Sequence, residues 1–367
     1  MKNEHYPRGL LEAKGNSSHA HVRDDWLSLR TEAIIDPGRR IIDSHHHLWD
    51  RPYYPYEVRQ FKRDLDSGHK VVKTVFLECR AKYDPDREHA LQSLGETEYV
   101  AAMAEAAEGS GIADGIVGFV DLSLGDRAGE LLDRHIEASG GRLVGVRNVV
   151  AFHADSSVIS TVYQPPPHFL CLDAVHAGFE QVGKRGLAFD TWMYHTQLIE
   201  LQEVAKRFPD VSFIVDHLGG PIGTGPYEAR QDVSFREWQA SIRQLSRLPN
   251  IKVKFSGLGM RVHGFGFGRH PLPPSSKEIA ERALPFFETL LNNYGPTRIM
   301  FGSNFPVDKA EMSYPVLWNA FKRLASQLSE AEQHSLFYKT AAETYRLDPT
   351  ESEAQPISNE ESHRRVI

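Results

Sequence analysis

The residues best suited to chemistry stand together at 43–50, Asp-Ser-His-His-His-Leu-Trp-Asp, directly after the apolar pair Ile41-Ile42. Alternate side chains of an extended strand leave from the same face. That spacing puts Asp43, His45 and His47 on one face, with Ser44 and His46 on the other. Two imidazoles so placed reach one metal ion or one carbonyl oxygen. The histidines are framed by Ile-Ile-Asp-Ser and Leu-Trp-Asp rather than strung at a terminus, which separates them from a purification tag. Further along, Asp216-His217 opens Leu218-Gly219-Gly220-Pro221, and a third polar stretch runs Phe301-Gly302-Ser303-Asn304-Phe305-Pro306-Val307-Asp308-Lys309. Imidazoles, carboxylates and amides of this kind serve attack of water on a polarised carbonyl, with or without a metal ion.

The elements that must position these residues can be read from alternating patterns. Apolar, β-branched runs begin near 41, 71, 116, 143, 187, 211, 251 and 298. Helical stretches separate them at 95–108, 127–138, 173–182 (Asp173 as N-cap), 197–208, 235–248 and 277–293. Eight strands alternating with helices imply a parallel sheet closed as a (β/α)₈ barrel of the α/β class. An open doubly wound sheet would place a Gly-rich dinucleotide loop after the first strand, where this chain has histidines. In a barrel the catalytic mouth lies at the C-terminal strand ends. Those ends supply His45, His47 and Trp49 (first), Glu78 (second), Arg147 (fourth), Asp190 with His195 just beyond (fifth), His217 (sixth), Lys254 (seventh) and Asn304 with Asp308 (eighth). Arg147 suits a substrate carboxylate in a bidentate fork. Glu78 and Asp190 are candidate ligands or bases. Lys254 either points into the mouth or snorkels to solvent. Trp49 and His195 are candidate substrate contacts.

Together, the stretches 43–50, 216–221 and 301–309 resemble the amidohydrolase superfamily. Within it they are most similar to the amidohydrolase-2 group of fuconolactonase-like and 2-pyrone-4,6-dicarboxylate lactonases. The resemblance spans about 41–348. It implies a barrel hydrolase that opens a lactone of a small organic acid or sugar acid, with His45, His47 and His217 as metal ligands or carbonyl contacts. Metal use varies in the group: zinc is the first expectation, manganese the second, and some members work without an ion. The resemblance also implies an Asp at the strand-eight position, as acceptor of the water proton. This chain has Asn304 there, and a neutral amide is no general base. Asp308, Glu78 or Asp190 could take the role. A decarboxylase of the same superfamily and a silent ligand-binding barrel are the alternatives.

The remaining composition sets outer limits. A length of 367 residues suffices for one large barrel, with an extension at 1–40, the barrel at 41–348 and a polar tail at 349–367. A formal net charge of −7 without a long basic run argues against a nucleic-acid or membrane-surface partner, leaving a small molecule. Two cysteines, Cys79 and Cys171, cannot make a disulfide framework, and the first residues lack the apolar core of a signal peptide, so a cytoplasmic location is expected. A homo-oligomer stays open, with the N-terminal extension available for a subunit contact. The loops 151–170 and 257–275 are expected to shape the pocket, the second as a mobile apolar lid around Gly264-Phe265-Gly266-Phe267-Gly268.

Overall fold

The structure is a computed structural model that describes residues 21–52, 54–158 and 165–347. Most of the N-terminal extension, part of the 151–170 loop and the tail lie outside the described residues. Eight parallel strands follow one another in chain order: β1 Arg40–His46, β2 Lys70–Leu77, β3 Gly115–Gly118, β4 Leu143–Val149, β5 Ala188–Trp192, β6 Ser212–Val215, β7 Ile251–Phe255 and β8 Ile299–Phe301. The ring closes where β8 runs on beside β1. His46 pairs with Phe305, the Asn304 amide donates to the His45 carbonyl at 2.7 Å, and the Ser44 hydroxyl donates to the Phe301 carbonyl at 2.8 Å. The fold is a (β/α)₈ barrel. All eight expected strands are present.

Strand alternation sorts side chains between two cores. Outward residues such as Phe189, Phe213, Phe255 and Phe301 pack under the helices, with ring contacts Phe179–Phe189 at 4.8 Å and Phe301–Phe321 at 4.6 Å. Burying each such ring contributes about 1.5–3 kcal/mol. Inward residues Ile42, Val75, Leu77, Val117, Ala188, Ile214 and Met300 form a separate apolar cluster. The C-terminal segment seals that cluster with Tyr338, Ala341, Tyr345 and Leu347. Above it the inward positions turn polar.

Three local expectations are corrected, and one helix was not foreseen. Asp43 does not share a face with His45 and His47. The pairing of β1 with β2 shifts between Asp43 and His46, where three steps on one strand match two on the other. This irregularity breaks the period of two. Asp43 instead accepts from the Ser303 amide (2.8 Å) and the Tyr314 hydroxyl (3.0 Å), while His46 stacks on Phe61 at 4.2 Å. A helix absent from the sequence reading, Val58–Leu65, buries only Phe61, too little apolar periodicity to see. Asp173 opens its helix as the first residue rather than the cap, which is Leu172. Finally, the Gly-Phe loop is held, not open. Phe265 and Phe267 are buried and stack at 5.7 Å, Arg23 donates to the Gly268 carbonyl at 2.9 Å, and Trp26 donates to the Pro271 carbonyl at 3.0 Å. Residues of the N-terminal extension thus strap this loop down.

Candidate active site

The β1 irregularity that turns Asp43 away aims His45 and His47 into the mouth. Two glycines make room for the histidines. A Cβ on Gly302 would stand 2.8 Å from the His45 Cβ. One on Gly257, whose φ is +74°, would stand 2.7 Å from the His217 ring. His217 itself and Leu218 adopt left-handed φ values of 52° and 62°, a tight turn that throws the imidazole back over β6. The Ser256 hydroxyl meets His217 Nδ1 at 3.0 Å, leaving Nε2 toward the mouth.

His45, Asp216 and His217 each bring one ligand atom to within 4.8 Å of the other two. The His45 and His217 rings are 4.4 Å apart, and His45 Nδ1 is 3.4 Å from Asp216 Oδ1. Both of those atoms are buried without a hydrogen-bond partner. Buried polar atoms left so are costly unless something completes them, and a cation fits. This donor set can hold a divalent metal ion. His47 stands beside the group, its ring 5.0 Å from His45, with both ring nitrogens near protein partners: Nδ1 is 2.8 Å from the Leu77 carbonyl and Nε2 3.3 Å from the Asn304 amide. Burial, the largest influence on each, pushes His45 and His47 well below the usual imidazole value and His217 down to about 3. All three are neutral near pH 7.

A buried ionic layer surrounds these histidines. Arg147 Nε donates to Glu78 Oε1 at 3.0 Å, and its Nη1 lies 3.4 Å from Asp216 Oδ2 and 3.5 Å from His45 Nε2. Lys254, fully buried, donates to Asp190 Oδ1 at 2.5 Å and stands 3.5 Å from Asp216 Oδ1. The Tyr345 hydroxyl donates to the same Asp190 oxygen at 2.8 Å. Burial pushes Asp216 up, but Lys254 and His45 outweigh it and hold its carboxyl well below the usual range. Asp190 goes the other way, up to about 6, with burial and Asp216 outweighing Lys254.

Several expected site residues therefore occupy particular places. Glu78 with Arg147 and Asp190 with Lys254 form two bonded pairs, brought together through Asp216. Trp49 is stacked near His47 (6.1 Å), with the Arg51 guanidinium 4.1 Å over the Trp49 ring. His195 is not part of the cluster; it is buried near Tyr227, its Nε2 3.8 Å from Glu237. Asn304 spans His47 and Asp308. Asp216 was not singled out for a role by the sequence reading, although its place just before His217 at a strand end was the available signal.

An eight-stranded barrel with histidines on its first and sixth strands, converging on a carboxylate, defines a hydrolase-type mouth. A family model described as Amidohydrolase matches residues 42–347, and the chain belongs to that family. It is similar to the uncharacterized protein y4mH of Sinorhizobium fredii, 32% identical over 329 residues, covering 84% of this chain and 98% of the relative. It is also similar to the L-fucono-1,5-lactonase of Burkholderia multivorans, 28% identical over 319 residues, with 84% and 97% covered. Among solved structures, an amidohydrolase from Burkholderia multivorans with bound zinc superposes with a TM-score of 0.66 at 24% identity, covering 84% of this chain and all of the other. No helix among the described residues is long and apolar enough to cross a membrane.

Proposed function

We propose that this hydrolase opens the ring of a lactone of a small organic acid or sugar acid by delivering water to the ester carbonyl. The observation that carries the reading is the convergence of His45, Asp216 and His217 beside the Arg147 guanidinium. The similarity to an L-fucono-1,5-lactonase and to the L-rhamnono-gamma-lactonase of Scheffersomyces stipitis (21% identical, 84% of this chain covered) supports the substrate class.

In this mechanism the attacking water forms a bond to the ester carbon. Arg147 sits where negative charge builds on the former carbonyl oxygen, and stabilises it in a site that excludes water. Asp216, held ionised, accepts the water proton. The C–O bond to the ring oxygen then breaks, and that oxygen takes the proton as it becomes a hydroxyl. Lys254 keeps Asp216 charged and in place from below. A divalent ion, when bound, is held by His45, Asp216 and His217 and supplies Lewis acidity at the carbonyl; two imidazoles and one carboxylate match a catalytic zinc centre. The reaction is assigned to the cytoplasm, where Cys79 and Cys171 persist as free thiols.

The test is elemental analysis of untagged protein followed by a lactone panel on wild type and on His45→Ala with His217→Ala. About one zinc per chain and ring opening are expected, with both lost, turnover by at least ~100-fold, in the double variant. Release of CO₂ from aromatic acids with no lactone opened would assign a decarboxylase instead. Unchanged turnover in the folded double variant would refute the mechanism.

A further inference from the structure

The mouth has a wall that the mechanism above does not use. β5 pairs without a break against β4 and β6, so its side chains alternate strictly. Ala188 lies in the inner apolar cluster, and Asp190 in the ionic layer above it. Trp192, two residues further along, therefore points inward one step higher, toward the open end of the barrel. Its ring is 5.1 Å from that of His217 and 5.9 Å from that of His263. Tyr194, Ile222 and Val262 join it in an apolar cluster apart from the main core, which holds the indole in place.

His263 comes from the loop after β7. Its backbone is pinned to the loop after β6. The Gly223 amide donates to the Val262 carbonyl at 2.7 Å, and a Cβ on Gly223 would collide with the His263 carbonyl. The His263 residue is only 6% exposed and is flanked by the Gly257 backbone, yet neither ring nitrogen completes a hydrogen bond. A buried polar group left so calls for a partner. Burial keeps an imidazole neutral, with one N–H and one lone pair. A hydroxyl matches it, because a hydroxyl also both gives and takes a hydrogen bond. A further anion has less to gain here. Arg147 is already paired with Glu78 and Asp216, and Lys254 with Asp190 and Asp216.

We propose that Trp192 and His263 form a specificity wall for an uncharged, polyhydroxylated ring: the indole packs on the C–H bonds of the ring, and His263 exchanges a hydrogen bond with one of its hydroxyls. C–H bonds on oxygen-bearing carbons are slightly positive and suit the electron-rich face of an indole. An aldonolactone has both features and carries no carboxylate until it is opened. Lactones without hydroxyls leave His263 unpaired, and lactones with a carboxylate bring an anion to cations already taken. The selection among lactones rests on the lactone-opening reading; recognition of the hydroxylated ring does not.

The experiment measures kcat/KM of full-length wild type and H263F on three kinds of lactone: five- and six-carbon aldonolactones, γ-butyrolactone, and muconolactone as the carboxylate-bearing probe. Phenylalanine keeps a ring of similar size and removes both nitrogens. Thermal melts confirm folding, and W192L gives the same comparison if H263F melts early. Wild type should favour its best aldonolactone over the other two by at least about 100-fold, and H263F should narrow that ratio at least about tenfold. An equal loss on all three lactones would make His263 a structural support of the loop, and a wild-type preference for γ-butyrolactone or muconolactone would leave the wall without its ligand; either overturns the proposal. If no lactone is opened, the lactone-opening reading fails, and quenching of tryptophan fluorescence by free pyranoses, galactose and fucose among them, decides the wall by itself. Binding weakened at least about fivefold in H263F upholds it, and no binding, or equal binding by both proteins, overturns it.

Discussion

The two sides of the mouth solve the burial of polar groups in opposite ways. Toward β4–β7, Glu78, Arg147, Asp190, Asp216 and Lys254 are joined in one network of ion pairs. Toward β8 and β1, the chain Leu77–His47–Asn304–Asp308 contains no ion pair. Ionic partners deep in a barrel are stable only as a complete set, because removing one strands the others in a low dielectric. A neutral chain tolerates exchange of one neutral donor for another. The lesson is that equal burial does not mean equal sensitivity: what matters is whether the neighbours are left with charge.

Breaking the ionic side should give the largest effect. Lys254→Met leaves Asp190 and Asp216 without their ammonium and should cost about 3–5 kcal/mol in urea unfolding. A loss under about 1 kcal/mol would mean that water reaches the layer.

The neutral side should reveal itself through pH. Asp308 binds its proton more tightly folded (about 8) than unfolded (3.8 as the ordinary value). Between those values the native state holds the extra proton, so this contribution to stability is full below pH 3.8 and is lost as pH rises to about 8. The slope is about 1.4 kcal/mol per pH unit inside the window. D308N lacks the contribution, so its stability relative to wild type should rise by roughly 2–3 kcal/mol from pH 6 to 8. Glu96, also raised to about 8, and Asp43, raised to about 6, are common to both proteins and cancel. A flat difference would place the Asp308 proton elsewhere.

Gly257→Ala tests the seam between the sides. Its φ of +74° and the 2.7 Å approach to His217 should cost about 1–2 kcal/mol and displace the ring, lowering zinc uptake. Unchanged zinc uptake would remove His217 from the ligand group. The smallest effect belongs to an ion pair outside the barrel. Arg185 holds Asp133 through two contacts of 2.7 and 2.8 Å at the surface, with Asp133 largely exposed, and Arg185→Ala should cost at most about 1 kcal/mol. A larger loss would blur the contrast between buried and surface charge.

The barrel was legible because its strands are short β-branched runs at regular intervals, and all but the third end in a residue that has no business in an apolar core. The histidines at 45–47 were legible as a motif, but not as geometry. The irregular pairing of β1 is a matter of register with β2, which no single strand encodes, so Asp43 was assigned to the wrong face. Lys254 had two readings because alternation places it inward while its charge argues outward; Asp190, sixty-four positions earlier, settles it. Asp216 looked like the companion of a histidine, since nothing local shows that its oxygen meets His45. In each case the missing information was a partner from another strand.

The Tyr345 hydroxyl that caps Asp190 also has a meaning in time. Asp190 and its donor are 155 residues apart, and His45 of β1 waits 258 residues for Ser303 beyond β8. At ordinary rates of synthesis the ribosome makes the first of these stretches in roughly 10–30 s. Throughout that interval Asp190 has been made but the hydroxyl that meets it has not. The charged layer is therefore among the last parts of the molecule to be completed, and a nascent chain that stalls before residue 345 carries a barrel whose electrostatics cannot yet balance.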